Sequence, residues 1–437
     1  MKIGIIIDYG SFANATSLNL IAKKVFLEIG KIMNEKKDFT ITALRYDDIG
    51  IGDVNQHYDC IYIPNMGGYK FPSKGIMTSN NIVIGLVGID EVVLGDKVFR
   101  TKIDWERSKP IIENEIPKWE EGSKNINVIH VATQSEKEQM VKYLKISEGK
   151  IKIIPLGVDK EKFFPVKDKK NARRKILGRF FLKDGPYFIH VSESNWARKN
   201  VFRVLDAYEK IRKKEGIKEK LIIVGRVEPE VVKRADEIDN VKVLGFVDER
   251  DLVRLIQNAE AMIFPSLHEG FGLPSVEAIA CGIPVIASNV FSSPEVLGKG
   301  AVLVDPYNVN DIAEKIGKIS LDSDFKKKMA NEALLQSEKY SWRKTGETIL
   351  ALIKKSSNQK SNFNFEYAYE LAVRRTLATL SEMIPELHGL SRSEFLEFNY
   401  STLINWCIYV GINDDRIKDF IVPYKKWLEK NRGERNE

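Results

Sequence analysis

The sequence predicts an α/β protein of two parallel-sheet halves followed by a helical extension. Three observations predict it. Short apolar runs alternate with helical patterns from residue 2 onward, as in parallel sheets covered on both faces. The alternation restarts at Tyr187, after the charged run KDKKNARRK. At 437 residues the chain is too long for one ordinary domain and suits two or three. The expected divisions are 1–165, 184–355 and 356–437, with the boundary between the halves falling within 160–183.

In the first half, KIGIIID forms the opening strand. A polar loop from Tyr9 to Ser17 leads into a helix over 18–33, whose apolar positions Leu20, Ile21, Val25, Phe26, Ile29 and Ile32 share one side. Such an opening places ligands at the strand's carboxyl end, where Gly10 and Ser11 stand, although a plain βα turn reads the same way. Further strands are expected at 40–45, 59–64, 82–87, 126–131 and 150–154. Gly67-Gly68 follows the third strand as a turn, and Gly88-Ile89-Asp90 follows the fourth. Gly157 in IPLGVD fits a type II turn before a linker. The run KDKKNARRK reads as a solvated linker or a helix face.

In the second half, the strand 187–191 is followed by Ser192-Glu193-Ser194-Asn195-Trp196-Ala197-Arg198-Lys199-Asn200 and a helix over 201–213. Cations at a helix start oppose its dipole, so a bound anion makes better sense of Arg198 and Lys199. The strand 220–224 ends in Gly225-Arg226, and the strand 241–244 ends in Gly245-Phe246-Val247. A helix over 249–258 leads to the stretch that organises the chain, AMIFPSLHEGFGLPSVEAIACGIPVIA. Here a buried strand ends at Pro265, and Glu269-Gly270-Phe271-Gly272 makes an irregular turn. Pro274 sits in a helix's first turn, Gly282 closes that helix, and a second strand follows. Glu269 on the loop and Glu277 on the helix frame a helix N-terminus, a natural seat for a phosphate. Two carboxylates also suit sugar or ribose hydroxyls. The strand 301–304 and helices over 309–319, 324–338 and 341–354 complete this half. Asp322-Ser323-Asp324 reads as a helix cap rather than a metal motif.

Composition narrows the function classes. Apolar residues make up 43% and charged residues 30%, as in ordinary globular proteins. No apolar run reaches the ~18 residues of a spanning helix. The opening residues read as a strand and not as a signal peptide. Cys60, Cys281 and Cys407 lack disulfide or metal spacing, which points to a reducing compartment. A net charge of +7 comes with no basic cluster interleaved with aromatics, which argues against nucleic-acid binding. No G-x-G-x-x-G follows a strand, which argues against a dinucleotide oxidoreductase.

EGFGLPSVE followed by AIACGIPVIAS resembles the E-x7-E signature of retaining glycosyltransferases of the GT-B fold, specifically the GT4 family. NWARKN resembles that family's phosphate-binding loop, and IPLGVD with the following FFP resembles the segment closing its N-terminal half. The resemblance covers roughly 1–355. It implies an enzyme that moves a mannose- or glucose-type sugar from a nucleotide-diphosphate sugar to a glycan, lipid-linked or other hydroxyl acceptor. In that reading Lys199 and Arg198 neutralise the diphosphate and Glu269 holds the transferred sugar. Gly270, Phe271, Gly272 and Leu273 line sugar and phosphate through N–H groups, and Glu277 holds ribose hydroxyls. Ser192, Asn195, Arg226 and Val247 complete the donor side; Asp90, Gly10 and Ser11 stand on the acceptor side. No metal or other cofactor is expected. The departures are Ile89 where relatives carry His, Leu156 where they carry Asn, and Ser192-Glu193 where Gly and Arg are common. An inactive scaffold subunit, a sugar-nucleotide epimerase and a phosphorylase stay open as alternatives. The expected location is the cytoplasm, with the cytoplasmic membrane face also open. For 356–437, membrane contact, oligomer contact and core packing are weighed, with packing or oligomer contact favoured.

Overall fold

The computed structural model describes residues 2–6, 17–36, 40–44, 58–67, 70–72, 81–99, 101–192 and 196–356. The expectations for Gly10, Ser11, Asn195 and the extension beyond Ser356 lie outside the described residues.

The first half carries strands β1 (Lys2–Ile6), β2 (Thr40–Leu44), β3 (Cys60–Gly67), β4 (Ile82–Val87), β5 (Val128–Val131) and β6 (Ile151–Ile153). They form one parallel sheet in the order β2-β1-β3-β4-β5-β6. Its helices are α1 (Ser17–Lys36), α2 (Asp90–Leu94), α3 (Lys102–Gly122) and α4 (Gln134–Leu144). The third strand runs three residues past its expected end, with a register irregularity between Ile63 and Met66.

Helix α5 (Lys169–Arg179) introduces the second half. Its sheet takes β7 (Tyr187–Val191), β8 (Lys220–Val224), β9 (Val241–Gly245), β10 (Ala261–Phe264), β11 (Val285–Ser288) and β12 (Ala301–Val304). The order is β12-β11-β10-β7-β8-β9, again parallel. This is the doubly wound Rossmann order, and the chain reverses direction across the sheet between β7 and β10. The remaining helices are α6 (Trp196–Lys199), α7 (Val201–Glu215), α8 (Pro229–Asp236), α9 (Glu249–Asn258), α10 (Leu273–Ala280), α11 (Ser292–Leu297), α12 (Val309–Leu321), α13 (Ser323–Ser337) and α14 (Trp342–Ser356). Strand β10 is buried at every position, which is why its sequence is continuously apolar rather than alternating.

The charged run proves to be a helix face. Asp168 caps α5 by accepting from Asn171 N, Ile176 and Leu177 are buried, and Arg179 donates to Asp251 at 2.8 Å. Gly157 corrects the turn expected there: its φ lies outside the left-handed region. It must be glycine because a Cβ would stand 2.0 Å from Trp342 N. At that place Val158 bridges Ser341, and the Thr345 hydroxyl donates to Pro155 O at 2.7 Å. Helix α14 thereby returns to the first half, where Gly346 lies against Ile32 and Glu28 of α1. One apolar core runs through both halves, from Ile3, Ile29 and Tyr62 to Ile189, Phe264 and Val276, with Trp342 and Ile349 included.

Candidate active site

The carboxyl ends of β7 and β10 meet the turn 265–272 at the point where the strand order reverses. Asn200, in the left-handed region at φ 62°, ends α6 and turns the chain into α7. Its amide Nδ2 donates to Pro265 O at 2.9 Å and Pro306 O at 2.6 Å, pinning that turn to the loop after β10. The same turn aims Lys199 and Arg198 at Glu269. Lys199 Nζ donates to Glu269 Oε1 at 2.6 Å and lies 4.4 Å from the centre of the Phe264 ring. Arg198 Nη1 donates to the same oxygen and to His268 O, both at 3.0 Å. Arg198 Nε lies 3.2 Å from Asp90 Oδ2, at the start of α2 in the other half.

Electrostatics follow from this geometry. Burial alone would push the Glu269 carboxyl up, but the Lys199 ammonium and Arg198 guanidinium outweigh it and hold the carboxyl down at about 2. Burial lowers Lys199 to about 8 against the pull of Glu269. Two cations thus face two carboxylates. In this structure the chain's own Glu269 and Asp90 occupy the cations beside which a bound anion was expected.

Glu277 sits elsewhere. Burial and the neighbouring Glu249 push its carboxyl up to about 8, and the other charges acting on it are Lys24, Lys162 and Asp159. It lines a small cavity with charged residues Lys24, Asp159, Lys162 and Glu249 and apolar ones such as Leu273 and Trp342. There Lys24 pairs with Asp159 at 2.6 Å and Lys162 with Glu249 at 2.8 Å. The two acids of the central stretch therefore serve different surroundings.

The other expected positions divide similarly. Ser192 is fully buried, and its hydroxyl has no hydrogen-bond partner among the described residues. Its carbonyl passes so close to Gly225 that only glycine fits there. Arg226 is exposed over the Phe246 ring, 5.6 Å from its centre, and Val247 packs against the core. The Phe271 ring meets Tyr340 edge-on at 5.3 Å. Gly272 takes φ 79° to start α10. Among the described residues no group of three or more His, Cys, Asp or Glu could hold a metal ion, and Asp322 caps α13. No described helix is long and apolar enough to cross a membrane.

Residues 173–336 match the family described as glycosyl transferases group 1. That segment is similar to group 1 glycosyltransferases. An Escherichia coli O-antigen chain mannosyltransferase B is 34% identical over 183 residues, 40% of this chain and 48% of that protein. The serotype-specific mannosyltransferase WbdA of Escherichia coli is 29% identical over 233 residues, 51% of this chain and 28% of that protein. The chain thus spans half or less of the length of these curated relatives. Anabaena HepE, solved in complex with UDP-glucose, superposes with a TM-score of 0.60 at 16% identity, covering 81% of this chain and all of that one. This likeness is one of fold, GT-B.

The matched segment meets the first half along a seam that sequence reasoning missed. The Thr133 hydroxyl donates to Gly270 O at 3.1 Å. Gln134 N and Ser135 N, at the start of α4, donate to Glu295 of α11 at 2.8 and 3.2 Å. The buried Glu136 accepts from Ala132 N at 2.8 Å and Gly88 N at 3.2 Å, yet burial pushes its carboxyl up to about 7. Gly270 is glycine because a Cβ would stand 2.2 Å from Glu136 Oε1. Thr133-x-x-Glu136 is the spelling of a capping box, the one local signal that could have found this helix start. Its partners on the other half leave no local signal.

Proposed function

We propose that this chain transfers a hexosyl unit, of mannose or glucose type, from a nucleotide-diphosphate sugar to a glycan or lipid-linked hydroxyl, with retention and without a metal. The observation that carries this reading is the Lys199–Arg198–Glu269 cluster at the carboxyl end of β10, beside the start of α10. A donor diphosphate entering there would replace Glu269 on Lys199 and Asp90 on Arg198. As the bond between the sugar's C1 and the phosphate oxygen breaks, negative charge grows on the diphosphate, where two cations already stand in a buried setting. The acceptor oxygen bonds to C1, and its proton passes to the departing diphosphate oxygen. Glu269, released from Lys199, is then free to accept from sugar hydroxyls, and Glu277 from the ribose. Mannosyltransferase relatives favour a mannose donor, and the UDP-glucose complex of HepE favours a nucleotide sugar in this fold.

One observation favours a second reading, a non-catalytic binding subunit. Ile89 is fully buried in the turn where GT4 enzymes carry a histidine. A thermal-shift screen against GDP, UDP, ADP and their sugar conjugates tests both, with Lys199→Ala and Glu277→Gln run alongside. A ligand at about a hundred times its dissociation constant stabilises by ~2.7 kcal/mol. The expected result is a shift with one nucleotide that both variants lose, together with sugar transfer. Binding without transfer favours the subunit, and no shift with any nucleotide diphosphate sinks the enzyme.

A further inference from the structure

His268 is an imidazole that the reaction above does not use. It precedes Glu269 in the turn and is buried. Its Nε2 lies 2.8 Å from Gln139 Oε1, on α4 of the other half. Gln139 Nε2 donates to Ser135 Oγ at 3.1 Å, which leaves Oε1 as the acceptor and places the imidazole proton on Nε2. Nδ1 then carries a lone pair. The ring stands edge-on to Phe291, with centroids 4.6 Å apart. The charges facing it come from both halves: Asp90 on α2, Arg198 and Lys199 on α6, and Glu269 beside it. These are two of each sign, and burial dominates, lowering the imidazole to about 4.

We propose that Gln139 is a positioning residue acting through His268: it holds the imidazole in the neutral Nε2–H tautomer, whose Nδ1 accepts a hydrogen bond from a hydroxyl of the transferred sugar. This rests on the sugar-transfer reading. Glutamine suits the task because its amide oxygen takes the Nε2 proton without stabilising the imidazolium, as a carboxylate there would. Because Gln139 and His268 stand on different halves, the hydroxyl acceptor is complete only when the halves meet.

The test uses the full chain with histidine-labelled imidazoles, titrated by NMR, and follows turnover of GDP-mannose and UDP-glucose against pH. Gln139→Glu is expected to raise the His268 titration by about two pH units or more and to carry the acid limb of kcat with it. Turnover recovers above the new pKa, because the carboxylate still accepts from Nε2–H. Gln139→Met, similar in volume, is expected to lower kcat about tenfold with little change in donor KM. A His268 titration unmoved by Gln139→Glu, or parental kcat in Gln139→Met, overturns the proposal. A parent chain that neither binds nor turns over either nucleotide sugar fails the sugar-transfer reading and the hydroxyl contact with it. The imidazole titration decides separately whether Gln139 sets the His268 protonation state.

Discussion

Glu269 and Lys199 are each less than a tenth exposed, and they share a 2.6 Å hydrogen bond. Replacing Glu269 with Gln leaves a buried ammonium without its carboxylate, a change that costs ~3–5 kcal/mol where a buried pair is broken. The expected outcome is a fall of that order in urea-unfolding stability, largely restored by the nucleoside diphosphate that takes the vacated place. Glu277 predicts the opposite pH behaviour from Glu269. Its folded-state pKa of about 8 stands above the ordinary 4.5, so the folded chain holds this proton more tightly. The stability this contributes is complete below 4.5 and is lost as pH rises toward 8. Glu277→Gln should therefore flatten the melting temperature between pH 5 and 8 and melt higher than the parent at pH 8. Both glutamates were legible in the sequence, because glycines and a following strand frame them. Their separation into two environments was not: Lys24, Asp159 and Lys162 reach Glu277 from segments over a hundred residues away.

At the scale of elements, α4 begins at the seam. Thr133 caps it by accepting from Glu136 N at 3.1 Å, while its own hydroxyl donates across to Gly270 O. Thr133→Ala removes both bonds and should cost ~1–2 kcal/mol, read as a lower urea midpoint with an unchanged slope. Strand and helix order in both halves was legible because period and punctuation are local. The helix α5 was half legible: its charges hide the two buried residues, Ile176 and Leu177, that dock it on α9. The pairing of α4 with Glu295 was illegible, since a helix N-terminus does not announce which distant carboxylate will fill it.

The core is continuous across the two halves, and Trp342 lies in it where α14 crosses back. Trp342→Ala should cost ~3–5 kcal/mol and lower one cooperative unfolding transition, seen alike by calorimetry and by far-ultraviolet circular dichroism. Two-domain organisation was legible from length and from the restart at Tyr187. The return of α14 was not, because the glycine that permits it, Gly157, reads locally as a turn. That crossing also governs how the halves can move. Among the described residues the chain passes between them twice, at Val158 and at Ser341, and the two passages lie side by side. With Val158 and Ser341 adjacent, an outward swing of the second half would break Thr133–Gly270, Gln139–His268 and Glu295–α4 together. Under the sugar-transfer proposal, admission of substrate and separation of these groups would then be one motion, and the Gln139–His268 pairing would exist only while the halves are closed.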